Sequence, residues 1–249
     1  MNIKGNTILI TGGATGIGFA LAEAFVKAGN RMIICGRRKN KLNEAKEKLP
    51  QIYTRVCDVT KETERKALAQ WCAENFKDLN VFINNAGIQK MIDFTSGAAG
   101  LFSPGDEIET NLAAPVYLSA HFIPLLLHQK EAAIVNVSSG LGFVPLATMP
   151  VYCATKAAMH LFSVSLRYQL KGTPVKVFEV IPPAVDTELG RGEGEEETAY
   201  PGIKPSVVAE AALAAMAKNE YEIAIGEAKG LVEGSRTNFK KVFESINRW

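Results

Sequence analysis

The sequence lacks the features that would assign it to a membrane, a secretion route or a nucleic acid. No stretch approaches the roughly 18 consecutive apolar residues of a membrane-spanning helix. The opening "MNIKGNTILITGG" has only a short apolar run before a glycine-rich turn, which is not the pattern of a secretion signal. The 249 residues carry 28 Lys and Arg against 26 Asp and Glu, with neither a basic block nor an acidic tail. We therefore expect a cytoplasmic protein with no membrane partner and no nucleic-acid partner.

Signals for a metal site or a hydrolase are also missing. The four cysteines contain no C-x-x-C pair and no zinc-like spacing, so reduced thiols are expected. His121, His128 and His160 share no spacing with carboxylates or cysteines that fits a metal site, and they are predicted to be core or surface residues. The segment "VSSG" (137–140) lacks the G-x-S-x-G elbow of a hydrolase. The sequence therefore predicts no metal and no hydrolytic triad.

What the sequence does contain is an alternation of apolar strands with amphipathic helices. The run "TILIT" (7–11) is largely apolar, as in a strand buried on both faces, and a segment with helical period follows it. This order predicts an α/β fold of the Rossmann type, a doubly wound three-layer sandwich with a seven-stranded, mostly parallel sheet. No linker or repeat divides the chain, so residues 1–249 are expected to form a single domain. Further strands are predicted at 31–35, 52–56, 81–84, 133–137, 175–180 and 221–226, with later helices at 42–49, 62–76, 106–129, 152–171, 205–218 and 236–249.

The turn after the first strand, "TGGATGIG" (11–18), carries glycines at positions 12, 16 and 18. This spacing differs from the G-x-G-x-x-G dinucleotide pattern, and no lysine follows it as in a P-loop. Glycines nevertheless let the backbone approach a pyrophosphate, whose charge would meet free N–H groups at the start of the helix. The alternative is a tight turn whose glycines serve conformation alone. The position of the turn after the first strand favours nucleotide binding.

The end of the second strand bears on which nucleotide is bound. The segment "CGRRKNK" (35–41) has no carboxylate where NAD-binding folds often hold the ribose hydroxyls, and Arg37, Arg38 and Lys39 stand in its place. An arginine can bind a 2′-phosphate through paired charge-assisted hydrogen bonds, and Arg37 is the first candidate with Arg38 the next. The alternative is an exposed basic turn. We therefore predict NADP (NADPH) as the preferred cofactor, with NAD as the second choice.

Five elements, taken in their order along the chain, resemble the short-chain dehydrogenase/reductase family from residue 7 to about residue 188. They are the TGxxxGxG turn at 11–18, "CDV" at 57–59, "NNAG" at 84–87, Asn111 and a Ser–Tyr–x-x-x–Lys set. The resemblance implies that Ser139, Tyr152, Lys156 and Asn111 are the catalytic residues, with Ser138 as the alternative serine. The cofactor residues implied by the motifs and the resemblance are Gly12, Thr15, Gly16, Ile17, Gly18, Arg37, Arg38, Asp58, Val59, Asn84, Ala86, Gly87, Tyr152, Lys156, Pro182 and Thr187.

Tyr152 and Lys156 lie four positions apart in "VYCATKAAM" (151–159), so a helix would present both on one face. A free phenol has a pKa of about 10, and an ammonium group within about 4–6 Å is expected to lower it by about 1–3 units. Tyr152 would then suit the role of a general acid that protonates a carbonyl oxygen, or of a base in reverse, with Ser139 positioning that oxygen. Taken alone, the pair is also what an ordinary surface helix carries.

The chain departs from the family pattern in two places. The segment "IPPAVDT" (181–187) keeps Pro182 and Thr187 but has Pro183 where the family usually has glycine, so the backbone there loses an N–H group. The chain also ends in a polar helix instead of the family's glycine pair. A substrate site is expected from residues 89–105, 140–150 and 189–204. The last segment is either a lid over the site or a solvated loop.

Together these features predict an NADP(H)-dependent oxidoreductase that acts on a small-molecule carbonyl or alcohol substrate. The mostly apolar "LGFVPLATMP" (141–150) favours an uncharged, partly hydrophobic compound. Two other functions stay open. One is an NADP(H)-binding sensor or scaffold with little turnover, which the replacement of the family glycine by Pro183 allows. The other is an epimerase or dehydratase that uses the cofactor transiently. The resemblance also implies a homodimer or homotetramer joined through helices 106–129 and 152–171.

Overall fold

Seven strands form one sheet in the computed structural model of the protein, which describes residues 1–97, 106–189 and 202–248. Their order is β3-β2-β1-β4-β5-β6-β7 and every pairing is parallel, which confirms the predicted doubly wound sheet. The last strand is shorter than predicted, and the chain turns just beyond it at Gly226, whose φ is 54°. The strands are β1 (Thr7–Thr11), β2 (Arg31–Gly36), β3 (Tyr53–Val56), β4 (Leu79–Asn84), β5 (Ala132–Val137), β6 (Val175–Ile181) and β7 (Glu222–Ala224).

Helices cover both faces of the sheet, giving the expected three layers. The eight α-helices of the described residues are α1 (Gly16–Lys27), α2 (Lys39–Lys48), α3 (Glu62–Asn75), α4 (Ala114–Leu126), α5 (Pro150–Gln169), α6 (Pro205–Lys218), α7 (Ala228–Thr237) and α8 (Phe239–Ile246). One apolar core holds the buried faces of α1, α2 and α6, and a second core on the other side holds those of α3, α4 and α5. None of the helices described is long and apolar enough to cross a bilayer.

Two predicted helices differ from the observed ones. The helix expected over 106–129 contains a π-helical turn at Glu109–Ala113, and its regular part, α4, ends at Leu126. The helix expected over 236–249 begins at Phe239 as α8, which Asn238 caps by accepting a hydrogen bond from the Lys241 N–H. The helix before it, α7, was not predicted. Wide π-turns inside helices occur frequently at functional sites, and this one carries Asn111.

The strand order reverses between β1 and β4, and open α/β sheets bind ligands in the crevice at the carboxyl ends of such strands. Asn85, just beyond β4, donates from Nδ2 to the main-chain oxygens of Thr11 and Gly12 at 3.0 and 3.1 Å. The Thr11 hydroxyl in turn accepts hydrogen bonds from the N–H groups of Asn85 and Ala86. These contacts fix the glycine turn at the mouth of the crevice.

Candidate active site

The glycine turn is too tightly packed for side chains. Gly12 and Gly16 have φ of 63° and 55°, in the left-handed region that glycine enters without strain. A Cβ on Gly12 would lie 2.9 Å from the Ala86 Cα, and one on Gly18 would lie 2.2 Å from the Gly12 carbonyl oxygen. Thr15 precedes α1 without a side-chain capping hydrogen bond, and Ile17 packs against the core. The first turn of α1 therefore offers N–H groups of the kind that bind phosphate.

The basic residues after β2 are not equivalent. The Arg38 guanidinium donates to the Thr15 hydroxyl at 3.3 Å and pairs with the Glu188 carboxylate at 2.9 Å. Arg37 and Lys39 are exposed, and neither forms a hydrogen bond or an ion pair with the described part of the chain. Arg38 is therefore the arginine that lies against the glycine turn.

Asp58 and Val59 form the turn between β3 and α3. The Asp58 carboxylate accepts hydrogen bonds from the Thr60 hydroxyl at 2.8 Å and from the Thr60 N–H at 3.1 Å. Val59 is buried, and its carbonyl accepts a hydrogen bond from Arg65 at 2.7 Å. These contacts hold the turn at the carboxyl edge of the sheet, beyond β2.

The "NNAG" segment (84–87) begins in the core with Asn84 and ends at the crevice with Gly87. Asn84 is buried and donates to Ser119 at 3.1 Å and to Asn136 at 2.9 Å, so its side chain joins β4 to α4 and β5. A Cβ on Gly87 would lie 3.3 Å from Asn111 Oδ1 and 3.7 Å from Lys156 Nζ. Glycine at this position leaves free the space beside the lysine.

The predicted pair on α5 is buried. Tyr152 and Lys156 are each 5% exposed, and Lys156 Nζ lies 5.6 Å from the centre of the Tyr152 ring. The ammonium group donates to the Val137 carbonyl at 2.9 Å, which holds it against the end of β5. The two side chains therefore share one helical face and point into the crevice.

Burial dominates the ionisation of both side chains. It raises the pKa of Tyr152 to about 12, and a hydrogen bond with Ser139 acts in the opposite direction. Burial also lowers the pKa of Lys156 to about 8. The expectation of a lowered phenol pKa is therefore wrong for this structure, since its net direction is upward. The reason is that loss of hydration disfavours both charged forms.

The structure distinguishes the two adjacent serines. Ser139 interacts with Tyr152, and its Oγ also accepts a hydrogen bond from the Leu141 N–H at 3.2 Å. Ser138 points elsewhere, because its hydroxyl donates to the buried Glu179 at 2.6 Å. Ser139 is thus the serine that lies next to the phenol.

Asn111 connects the segment after "NNAG" to α5. Its Oδ1 accepts from the Ile88 N–H at 2.8 Å, and its Nδ2 donates to the Ile88 carbonyl at 2.8 Å and to Thr155 at 3.2 Å. The side-chain amide of Asn111, which lies in the π-turn, therefore contacts α5, the helix that carries Tyr152, through Thr155.

Glu107 is a site residue that the sequence analysis missed. It is buried, its Oε1 accepts from the Lys90 N–H at 3.0 Å, and burial raises its pKa. Its charge contributes to the raised pKa of Tyr152, which places the carboxylate within electrostatic range of the phenol. The available signal was its position one helical turn before Asn111.

The segment after β6 reaches the glycine turn. A Cβ on Gly16 would lie 3.1 Å from the Thr187 Cγ2, and the Pro182 carbonyl accepts from the Gly140 N–H at 3.0 Å. Pro183 lies beside Gly226, with its Cγ 3.6 Å from a Cβ placed there. Most of the expected lid, 190–201, and residues 98–105 of the expected substrate segment lie outside the described residues.

The end of α8 contacts the expected substrate loop at 140–150. Asn247 accepts a hydrogen bond from the Ala147 N–H at 2.7 Å and donates to the Pro145 carbonyl at 3.1 Å. The C-terminal departure from the family pattern therefore supports one wall of the crevice. In the same described part of the chain, no three His, Cys, Asp or Glu side chains form a group that could hold a metal ion.

Comparisons with known proteins agree with the resemblance drawn from the sequence motifs. The family model described as short chain dehydrogenase matches residues 6–198. The chain is 48% identical over 248 residues to an uncharacterized oxidoreductase, DltE, of Bacillus subtilis (strain 168), covering 99% of this chain and 98% of that protein. It is 34% identical over 206 residues to the serine 3-dehydrogenase of Agrobacterium fabrum, covering 80% and 82%.

Solved structures share the architecture. A short chain dehydrogenase from Burkholderia cenocepacia J2315, solved in complex with NADP, aligns with a TM-score of 0.82 and 26% sequence identity. The alignment covers 100% of both chains.

Proposed function

The chain belongs to the short-chain dehydrogenase family and is an oxidoreductase, and from that premise we propose its chemistry. We propose that it transfers hydride between NADP(H) and the carbon of a carbonyl or alcohol substrate, with Tyr152 as the general acid and base. The observation that carries the proposal is the burial of Tyr152 and Lys156 side by side at the crevice, with Ser139 next to the phenol.

The crevice fits a nicotinamide dinucleotide. The glycine turn has no room for a Cβ at Gly12 or Gly18, and the first turn of α1 is left without a side-chain cap. The residues that would hold the pyrophosphate are thus the glycine turn and Thr187, with Lys156 available to the ribose beside the nicotinamide. When bound, the nicotinamide supplies or accepts the hydride. The protein supplies placement and the proton.

Tyr152 is protonated across the physiological range, since burial raises its pKa to about 12. It can therefore donate a proton to a carbonyl oxygen from the neutral phenol. Lys156 is still mainly charged at neutral pH, because its pKa is about 8, and its ammonium group stabilises the phenolate that donation leaves. Ser139 donates a second hydrogen bond to the substrate oxygen and fixes its position.

The preference for NADP(H) over NAD(H) rests on Arg38. The guanidinium lies against Thr15 at the glycine turn, and no carboxylate follows β2 to take ribose hydroxyls. A guanidinium binds phosphate in bidentate fashion, which an unphosphorylated ribose does not exploit. Arg37, being exposed beside it, adds charge to the same edge.

The assembly that we propose is a homodimer or homotetramer of single-domain subunits, in keeping with the family. Exposed apolar side chains follow one face of α5 at Leu161, Val164 and Tyr168, and Tyr117 is exposed on α4. Such a face on neighbouring helices suits contact with a second copy of the chain. All four cysteines are free thiols, in keeping with a cytoplasmic enzyme.

Cofactor titration tests the proposal most directly. Nicotinamide fluorescence is followed while the purified protein is titrated with NADPH and, separately, with NADH. We expect a dissociation constant for NADPH on the order of micromolar and weaker binding of NADH. Oxidation of NADPH is then measured against a panel of ketones and aldehydes. Binding of neither cofactor would overturn the proposal, whereas tighter NADH binding would overturn only the role of Arg38.

A further inference from the structure

Glu188 lies where the segment after β6 meets the segment after β2. Its carboxylate pairs with Arg38 Nη1 at 2.9 Å and with Lys41 Nζ at 3.8 Å. Glu188 follows β6 in the chain, whereas Arg38 and Lys41 follow β2. In the sheet, β1, β4 and β5 lie between β2 and β6. The segment after β6 therefore crosses the carboxyl edge of the sheet and brings Glu188 to Arg38, the residue proposed to bind the 2′-phosphate.

The neighbours of Glu188 place this contact at the glycine turn. Thr187 lies against Gly16, with its Cγ2 3.1 Å from where a Cβ on that glycine would be. Arg38 also donates to Thr15 at 3.3 Å. The carboxylate and the guanidinium therefore meet beside the start of α1, in the part of the crevice that the dinucleotide would occupy.

We propose that Glu188 is a cofactor-specificity residue whose carboxylate competes with the 2′-phosphate of NADP(H) for Arg38. The inference rests on the proposed binding of NADP(H) at this crevice. A phosphate monoester carries about −1.5 to −2 charge at neutral pH, so a carboxylate on the same guanidinium repels it. An unphosphorylated ribose instead has a 2′-hydroxyl that can donate to a carboxylate. Glu188 therefore weakens NADPH binding and favours NADH.

The size of the effect follows from exposure. The Arg38 and Glu188 side chains are 55% and 51% exposed, so water and salt screen the pair. We expect removal of the carboxylate charge to change affinity by about threefold to fivefold, in the range measured for exposed pairs. Removal of the Glu188 charge should strengthen the binding of NADPH but not the binding of NADH, because only NADPH carries the 2′-phosphate.

The test is equilibrium binding of NADPH and NADH to Glu188→Gln, followed by nicotinamide fluorescence without any substrate. Glu44→Gln is the matched control, because it removes the same charge and an ion pair to Lys41 at 3.0 Å but does not touch Arg38. We expect Glu188→Gln to lower the dissociation constant of NADPH about threefold to fivefold, and Glu44→Gln to change it less than about twofold.

Arg38→Ala separates failure of this inference from failure of the proposed function. If Arg38→Ala weakens NADPH binding selectively while Glu188→Gln has no more effect than Glu44→Gln, the competition is overturned and the phosphate site stands. If Arg38→Ala leaves NADPH binding unchanged, the phosphate site and the competition are both overturned. Equal strengthening of NADPH and NADH by Glu188→Gln would also overturn the competition, because the effect would not depend on the 2′-phosphate.

Discussion

The Nδ1 atom of His160 lies 2.8 Å from Oε2 of Glu179, and Glu179 is completely buried in β6. The other carboxylate oxygen accepts a hydrogen bond from Ser138, the chain neighbour of Ser139. His160 is also on the same face of α5 as Tyr152 and Lys156, four positions after the lysine. The half-buried His160 and the buried Glu179 therefore join α5 to β6, and Ser138 connects them to the end of β5.

This pair predicts a pH-dependent stability. Glu179 raises the pKa of His160, chiefly through their hydrogen bond. The stabilisation by a histidine of raised pKa is fully present below its unfolded pKa of about 6.5, and it is lost as pH rises through the folded value. We expect His160→Gln to lower the free energy of unfolding more at about pH 6 than at about pH 9, as measured by urea denaturation.

The control for that measurement is His128→Gln, because His128 is exposed just beyond α4. It should leave the free energy of unfolding nearly unchanged at both pH values. An equal loss for His160→Gln at the two pH values would contradict a charged pair and leave only a neutral hydrogen bond.

The buried ammonium group of Lys156 is expected to lower the free energy of unfolding. Burial lowers its pKa to about 8, so the folded protein binds fewer protons than the unfolded chain between about pH 8 and about pH 10.4. Stability therefore rises with pH across that interval, and the penalty is greatest below it. We expect Lys156→Met to raise the free energy of unfolding by about 2 kcal/mol at pH 7, after loss of the hydrogen bond to Val137.

Urea denaturation at about pH 7 and about pH 10 checks this prediction, together with turnover, which the variant should lose. Lys66→Met is a suitable control, since Lys66 is exposed on α3 and forms only a surface ion pair with Glu62. A less stable Lys156→Met protein at pH 7 would show that the amine contributes more by its hydrogen bond than its burial costs.

Removing the phenol hydroxyl should separate chemistry from binding. Tyr152→Phe keeps the ring that fills the buried site, and it removes only the hydroxyl that we propose exchanges a proton. We expect kcat to fall by about 10² to 10⁴, while the dissociation constant of NADPH changes less than about twofold. Tyr168→Phe is the control on the same helix, because Tyr168 is 80% exposed and should keep full activity. Turnover of Tyr152→Phe at the wild-type rate would exclude Tyr152 as the acid.

The contact between α8 and the loop at 140–150 predicts an effect on substrate rather than on cofactor. Asn247→Ala removes the hydrogen bonds to Pro145 and Ala147. We expect the KM of a carbonyl substrate to rise about tenfold, as two neutral hydrogen bonds allow, with NADPH affinity unchanged. Steady-state kinetics measures the KM, with Asn75→Ala, exposed at the end of α3, as the control. An unchanged KM would mean that the loop keeps its position without α8.

Local signals in the sequence were sufficient for the sheet and for the common helical face of two candidate site residues. All seven strands were predicted, and five of them (β1, β2, β4, β5 and β6) are largely buried and therefore need nearly continuous apolar sequence. The exposed β3 followed instead from its place in the alternation of strands and helices. The four-residue spacing of Tyr152 and Lys156 predicted their common face, since helix geometry alone determines it. The π-turn around Asn111 was not predicted, because it depends on hydrogen bonds to Ile88 and Thr155, which are distant in sequence.

Two contacts missed by the sequence analysis join residues that are far apart along the chain. Glu188 contacts Arg38 across 150 positions, and Asn247 contacts Ala147 across 100. The pKa of Tyr152 was predicted in the wrong direction for a related reason. The spacing to Lys156 indicates the nearby charge, but it does not indicate how little water reaches the phenol.

The place of β1 in the middle of the sheet has a consequence for how the chain acquires its structure. Ile8 of β1 pairs with Met32 of β2 on one side, but on the other side it pairs with Val81 of β4. Parallel pairing over such a separation closes a long loop before it gains any contact, which slows folding. Until β4 is available, one edge of an apolar strand stays open to pairing with other chains. Refolding from denaturant should therefore be slow and sensitive to protein concentration, although the native sheet protects that same strand at its centre.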